Sequence, residues 1–340
     1  MGRRASTAVL LALAALMQLA APARAEDVVD LSVSFAVHNT NTSAVPCTSD
    51  GRAYTVRGHL TRPAAASGAV AVYLPGLDTG EWNWRLTAVP GYDWSLEMAR
   101  AGETSLTLDP LGYGASGHPP GSAICYGSQA DVVHQVVSEL RAGRYEAGRA
   151  APPHFRRVVL VGHDAGGAFA QIEAYSYRDV DALVVATWAD QGQTPLLLER
   201  ANRAGAVCAA GGGGYFYMER PAEYRADLFD DVDPSVFQAF LRLREPNPCG
   251  EMSTALAAIA TDRVRVREIR VPVLLAIGAD DKIFTRAGWA QQRGLYAGSR
   301  DVTAVSLAGT GHYPMLERSA PRFRALVAGW LDRRGLGVRR

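Results

Sequence analysis

The stretch VVLVGHDAGGAF, residues 158–169, narrows the choice of fold more than any other part of the chain. A run of aliphatic residues with no polar break reads as a strand covered on both faces. It stops at Gly162-His163-Asp164-Ala165-Gly166, and small residues suited to a helix follow at once. A strand that gives way to a helix over so few residues needs a sharp turn. Glycine flanks the apex because side chains there would collide. Asp164 at the apex then stands above the sheet at a helix N-terminus, where the helix dipole favours negative charge.

The rest of the chain supplies the sheet that such a turn requires. DLSVSFAV (30–37) and YTVRGHLTR (54–62) alternate with a period of two and read as antiparallel opening strands. AVAVYLPGL (69–77) is a buried strand ending in a Pro-Gly turn, YDWSLEMARAG (92–102) a helix closed by Gly102, and ETSLTLD (103–109) the next strand. SQADVVHQVVSELRAG (128–143) is an amphipathic helix with Ser128 as its cap and Gly143 at its end. ALVVATWAD (182–190) follows the elbow helix. IRVPVLLAIGADD (269–281), a helix near 287–298, VTAVSLAG (302–309) and the helix RFRALVAGWLDRR complete the series. This alternation predicts an α/β fold with a mostly parallel sheet of the eight-stranded kind and helices on both faces. It breaks from about Gln191 to Arg265, too long a stretch for a plain loop, which reads as an inserted lid or substrate-binding region. The expected organisation is a leader over 1–25, a core over 26–190, the lid over 191–265 and the rest of the core over 266–340.

The leader is read from MGRR, the apolar run AVLLALAALMQLAA and the small-x-small sequence Ala23-Arg24-Ala25 before Glu26. These are the parts of a cleaved secretory signal, and the apolar run is shorter than the ~20 residues of a spanning helix. A secreted, periplasmic or extracellular protein without a stable membrane anchor is expected. Four cysteines in an oxidising compartment suggest disulfides, with Cys208–Cys249 and Cys47–Cys125 preferred among the three possible connectivities. No CxxC pair points to a metal. A formal charge of +1 gives no electrostatic reason for a nucleic-acid partner. The expected partner is a small-molecule substrate, with no cofactor or metal, and the sequence leaves the oligomeric state open.

Two further stretches carry chemistry. IGADDKIF ends a late strand and offers Asp281; TGHYPMLE follows the last strand and offers His312. With LPGLDTGEWNW (74–84), DPLGYGASG (109–117), GHDAGG (162–167), GADD (278–281) and GHYPMLE (311–317), the chain resembles the α/β-hydrolase family from about residue 54 onward, apart from the insertion. The resemblance implies a triad in which Asp281 orients His312, and an oxyanion hole made by the N–H groups of Leu77 and Ala165. Asp190, at the end of the preceding strand, is an alternative acid. Two departures stand out: the oxyanion turn begins Pro75-Gly76 where the family usually has His-Gly, and Asp78 stands where epoxide hydrolases usually have proline.

Aspartate in place of the usual serine changes the reaction. A carboxylate with an ordinary pKa of ~3.9 is already ionised at neutral pH. It can displace a leaving group at an sp³ carbon and form an ester with the enzyme, which a histidine-activated water then hydrolyses. GHDxGG resembles the elbow of epoxide hydrolases and of haloalkane or haloacid dehalogenases. The halide cradle of the latter, a Trp after the nucleophile and an Asn by the oxyanion turn, is replaced by Ala165 and Leu77. An epoxide instead needs a proton for its opening oxygen, and the insertion offers Tyr215 and Tyr217, with Tyr224 beyond them. Epoxide hydrolysis is therefore the leading expectation. Esterase or lactonase chemistry with Asp164 as general base, a dehalogenase, and a noncatalytic ligand-binding relative are the alternatives.

Overall fold

The computed structural model describes residues 28–65, 68–211 and 214–337, so the expected leader over 1–25 lies outside the described residues. The first half runs β1 (Val28–His38), β2 (Ala53–Pro63), β3 (Ala69–Leu74), α1 (Trp94–Arg100), β4 (Ser105–Asp109), α2 (Tyr126–Ala142), β5 (Arg157–His163), α3 (Ala165–Ser176) and β6 (Ala182–Ala186). Then come α4 (Pro195–Ala209), β7 (Tyr215–Phe216), α5 (Tyr224–Leu228), α6 (Pro234–Leu243), β8 (Asn247–Pro248) and α7 (Cys249–Arg265). The chain closes with β9 (Val273–Gly278), α8 (Arg286–Leu295), β10 (Val302–Leu307) and α9 (Ala320–Asp332).

Eight strands form one sheet in the order β1-β2-β4-β3-β5-β6-β9-β10. β2 runs antiparallel to both neighbours, and all other pairings are parallel. The central strands AVAVYL, SLTLD, VVLVG and VLLAI are buried along their whole length, as a sheet covered on both faces demands. Helix α3 is buried on every side, because α2 and α7 close over it while it lies on the sheet. From β3 the chain steps to β4 on one side and later to β5 on the other. A crevice opens at such a reversal above the carboxyl ends of the strands, between the loops after β3 and β5.

Helix α2 begins two residues before the expected start. Cys125 occupies the cap position, and Ser128 lies one turn in, where its hydroxyl accepts the Cys125 N–H at 3.0 Å. The Cys47–Cys125 disulfide holds this helix entry, and Cys208–Cys249 ties α4 to the start of α7. Between β6 and β9 the regular elements of the described residues are helices, apart from the two-residue pair β7–β8.

Helix α7 is fastened beneath α3 by a buried polar network. Asp262 accepts from the Tyr175 hydroxyl at 2.7 Å and from Gln171 at 2.6 Å, while Gln171 also donates to Asp190 at 2.9 Å. Burial, and then the neighbouring charge of Asp190, push the Asp262 carboxyl well above the usual range. One proton on this pair removes the repulsion between two buried carboxylates.

Candidate active site

Asp164 sits between β5 and α3 with φ +50° and ψ −123°, outside the regions open to most side chains. Such backbone strain amounts to about 1–3 kcal/mol and persists only where the surroundings enforce it. Here they do. A Cβ on Gly162 would stand 2.1 Å from the Gly166 carbonyl oxygen, and one on Gly166 would stand 2.4 Å from that of Leu74.

The geometry joins the elbow to the loops after β3, β9 and β10. Asp164 Oδ2 accepts the Leu77 N–H at 3.0 Å, and Asp164 Oδ1 lies 3.5 Å from His312 Nε2. His312 Nδ1 pairs with Asp281 Oδ2 at 2.9 Å. Asp281 is itself held by the Ile283 N–H at 2.7 Å. Ala165 opens α3, so its N–H has no partner within the helix. Asp190 is buried away from the imidazole, accepting from Trp188, Gln171 and Gln292.

Electrostatics follow from this arrangement. Burial raises the Asp164 carboxyl, but the hydrogen bond and charge of His312 outweigh it and hold the group below the usual carboxylate range. Burial alone would lower His312; the charge of Asp281 and the hydrogen bonds to Asp164 and Asp281 instead push it up to about 10. The resting pair is thus carboxylate and imidazolium. His163 is the opposite case, lowered to about 3 by burial and then by the His312 charge. As a neutral ring it donates from Nε2 to the His312 carbonyl oxygen at 2.9 Å, fixing the loop that carries the imidazole.

Two cavities meet at Asp164. One, of about 580 Å³, is walled mainly by apolar groups, among them Leu197, Ala201, Phe216, Met252 and Ile259. The other, of about 30 Å³, lies among Leu77, Asp164, Glu219, His312 and Tyr313.

The tyrosines expected as proton donors are not among the residues lining either cavity. The Tyr215 hydroxyl donates to the Pro119 carbonyl oxygen at 3.0 Å, because the β7–β8 pair turns it towards that loop. Tyr217 is 44% exposed, its ring under the Arg244 guanidinium. Tyr224 is fully buried beside Asp78 and Glu219.

Other groups to which the sequence reading gave no role do reach the site. Tyr126, the first residue of α2, lines the larger cavity with Asp164, its ring packed on Phe169 and Trp188. Burial, and then the Asp164 charge, push its hydroxyl well above the usual range, so it stays protonated. Glu251 lies on the same wall, bound by Gln129 and Tyr113 at 2.8 Å each and raised by burial to about 7. Asp78 and Glu219 abut beside the smaller cavity. Burial first raises both, Asp78 to about 6, and Asn247 grips Asp78 with two hydrogen bonds of 2.6 Å.

Solved structures share this architecture. The chain superimposes on a thermophilic esterase from Thermogutta terrifontis with a TM-score of 0.62 and 19% identity, covering 88% of this chain and 98% of the other. A monoacylglycerol lipase from Paleococcus ferrophilus gives 0.60 at 16% identity, covering 77% and 93%. The enol-lactonase from Burkholderia xenovorans LB400 gives 0.58 at 18% identity, covering 82% and 97%. At these identities the likeness is one of fold. No curated protein matches the chain. Residues 71–326 match the model of the alpha/beta hydrolase family, and with that span and this sheet the chain belongs to the α/β-hydrolase family.

Proposed function

We propose that this protein is a hydrolase whose nucleophile is the Asp164 carboxylate, with His312 as base and Asp281 as its partner, acting on an apolar epoxide. The observation that carries the reading is the placement of the two Asp164 oxygens. Oδ2 takes the Leu77 N–H, the position an esterase reserves for the carbonyl oxygen of its substrate. A hole filled by the enzyme's own carboxylate serves an ester made from that carboxylate. Oδ1 is left to attack.

In the first step Oδ1 bonds to the epoxide carbon, the carbon–oxygen bond of the ring breaks, and the ring oxygen takes the Tyr126 hydroxyl proton. Esterification removes the Asp164 charge that helps to hold His312 up, so the imidazole releases a proton, which restores Tyr126. The smaller cavity has room for a water, which needs about 10–15 Å³ of such space. Neutral His312 takes a proton from that water, and hydroxide adds to the Asp164 carbonyl carbon. The developing charge on Oδ2 is held by the Leu77 and Ala165 N–H groups. Collapse breaks the bond from that carbon to Oδ1. The departing oxygen takes the proton from His312, and the new Asp164 carboxyl proton passes to the imidazole. The larger cavity holds the substrate and the smaller one the water, and Asp164 lines both. The helical segment 191–265 supplies much of the apolar wall and acts as the lid. The larger volume lies within the 300–1,000 Å³ range of small-molecule pockets. Export, as the leader implies, completes the proposal.

A single turnover in heavy-oxygen water tests the nucleophile. The expected result is unlabelled diol and one heavy oxygen in the peptide containing Asp164; label in the product of the first turnover would assign Asp164 to general-base catalysis of direct water attack.

The donor is tested separately. Tyr126→Phe is expected to lower kcat/KM for an epoxide about 100-fold, the lower end of general-acid effects. An alkyl halide, whose leaving group needs no proton, is expected to react at an unchanged rate. An equal loss on both would remove Tyr126 from the donor role.

A further inference from the structure

We infer that the protein has a second site, a Zn²⁺ site between α2 and α3, formed by His134, Glu173 and Asp179. Glu173 lies nine residues after Asp164, so the site is roughly 13 Å along the α3 axis from the nucleophile. Each residue offers one ligand atom, and the three atoms lie within 4.8 Å of one another.

Glu173 points to a missing ligand. Its side chain is fully buried, and among the described residues no N–H or hydroxyl donates to either carboxylate oxygen. It faces Asp179, a second acid, within the same three-residue cluster. His134 Nδ1 stands 2.8 Å from Asp179 Oδ2 and 4.0 Å from Glu173 Oε1. The shorter approach is an ion-pair contact, so this nitrogen already faces an acid, as a metal-bound imidazole would. Arg141 is engaged elsewhere, donating to the Asp179 carbonyl oxygen and the Asp181 carboxylate. A dication would sit between the two acids and the imidazole and give the Glu173 oxygens a partner.

The donor set selects the metal. Zinc takes imidazole nitrogen and carboxylate oxygen at about 2.0–2.2 Å, which places tetrahedral ligands roughly 3.4 Å apart. The observed 2.8 and 4.0 Å bracket that spacing. Imidazole disfavours Ca²⁺, which takes oxygen ligands. The His134 ring is stacked on Tyr177 at 3.9 Å and 8°, which fixes its plane before any ion arrives. His134 and Asp179 are about a third and a quarter exposed, so the ion has an entry path and room for a water as fourth ligand.

The test uses the full chain, stripped by chelator dialysis and titrated with ZnCl₂ by calorimetry and thermal melting. One equivalent is expected to bind, and Tm to rise by about 5 °C at a hundredfold excess over Kd. His134→Gln and Asp179→Asn are expected to weaken that binding about 100-fold or more and to remove the shift. Glu173→Gln, which keeps the shape of the side chain, is expected to lose the zinc response. The proposal is overturned if zinc leaves the wild type unchanged, if the shift survives in all three variants, or if CaCl₂ produces an equal shift. A zinc-insensitive wild type whose stability Glu173→Gln leaves unchanged would assign these acids a shared proton instead.

Discussion

A His312→Gln variant given an epoxide substrate is expected to gain the mass of one substrate molecule and then stop. The displacement needs the Asp164 carboxylate, the Leu77 N–H and a proton for the opening oxygen, none of which His312 supplies. Hydrolysis of the resulting ester needs a base near the carbonyl carbon. The imidazole, 3.5 Å from Asp164 and backed by Asp281, is the base in place. Loss of one member of such a unit lowers turnover by about 10⁴-fold or more, so the ester should persist long enough to weigh. Glutamine also removes the positive charge that holds the Asp164 carboxyl down, so the experiment belongs at mildly alkaline pH, where the nucleophile stays ionised. Intact-mass spectrometry would show the adduct, and peptide mapping would place it on residues 158–169. Undiminished turnover by this variant, or no adduct from an epoxide that the wild type hydrolyses, would sink the covalent route.

The parts legible in the sequence are those whose geometry is local. VVLVGHDAGGAF specifies a strand, a strained turn and a helix within twelve residues, and Gly162 and Gly166 are the residues that steric contact requires there. The strand–helix alternation likewise fixes which loops lie at one end of the sheet, because parallel strands present all their carboxyl ends there. The surroundings of the tyrosines were not legible. Tyr215 lies in a segment with a strong aromatic pattern, but its direction is set by the pairing of Tyr215 with Pro248, thirty-three residues away in sequence. Tyr126 reads as the approach to a helix rather than as part of it. Its neighbour Cys125 was the available signal, since the bond to Cys47 pins the point where α2 starts. Glu219 and Asp78 are brought together only by the return of the insertion over the loop after β3, a contact spanning 141 positions that no local pattern encodes. The departure at Asp78 from the usual proline marked the place without giving its partner.

Asp164→Asn is expected to abolish turnover, by about 10⁴-fold or more, and to leave no adduct, because a neutral amide is a poor nucleophile at an sp³ carbon. The same substitution carries a signature in the substrate-free protein. His312 is held at about 10 by Asp281 and by the hydrogen bond and charge of Asp164. Asparagine removes the Asp164 charge, so burial gains weight and the imidazole titrates at lower pH, as a labelled-histidine NMR titration would record. Stability should follow with a definite sign. In the wild type His312 is raised from 6.5, so its contribution is complete below pH 6.5 and is lost as pH rises through about 10. Asp164 is lowered from 3.8, so its contribution is present above that value and is lost on further acidification. The charge-dependent part of the stability difference between wild type and Asp164→Asn should therefore be widest between pH 3.8 and 6.5 and should close towards pH 10. A lowered His312 pKa together with lost turnover would tie the nucleophile and the base to one electrostatic unit, the same coupling that frees the imidazole once the ester forms. An imidazole that titrates unchanged in the variant would mean that Asp281 alone sets its charge, and esterification would then have no means of releasing the proton.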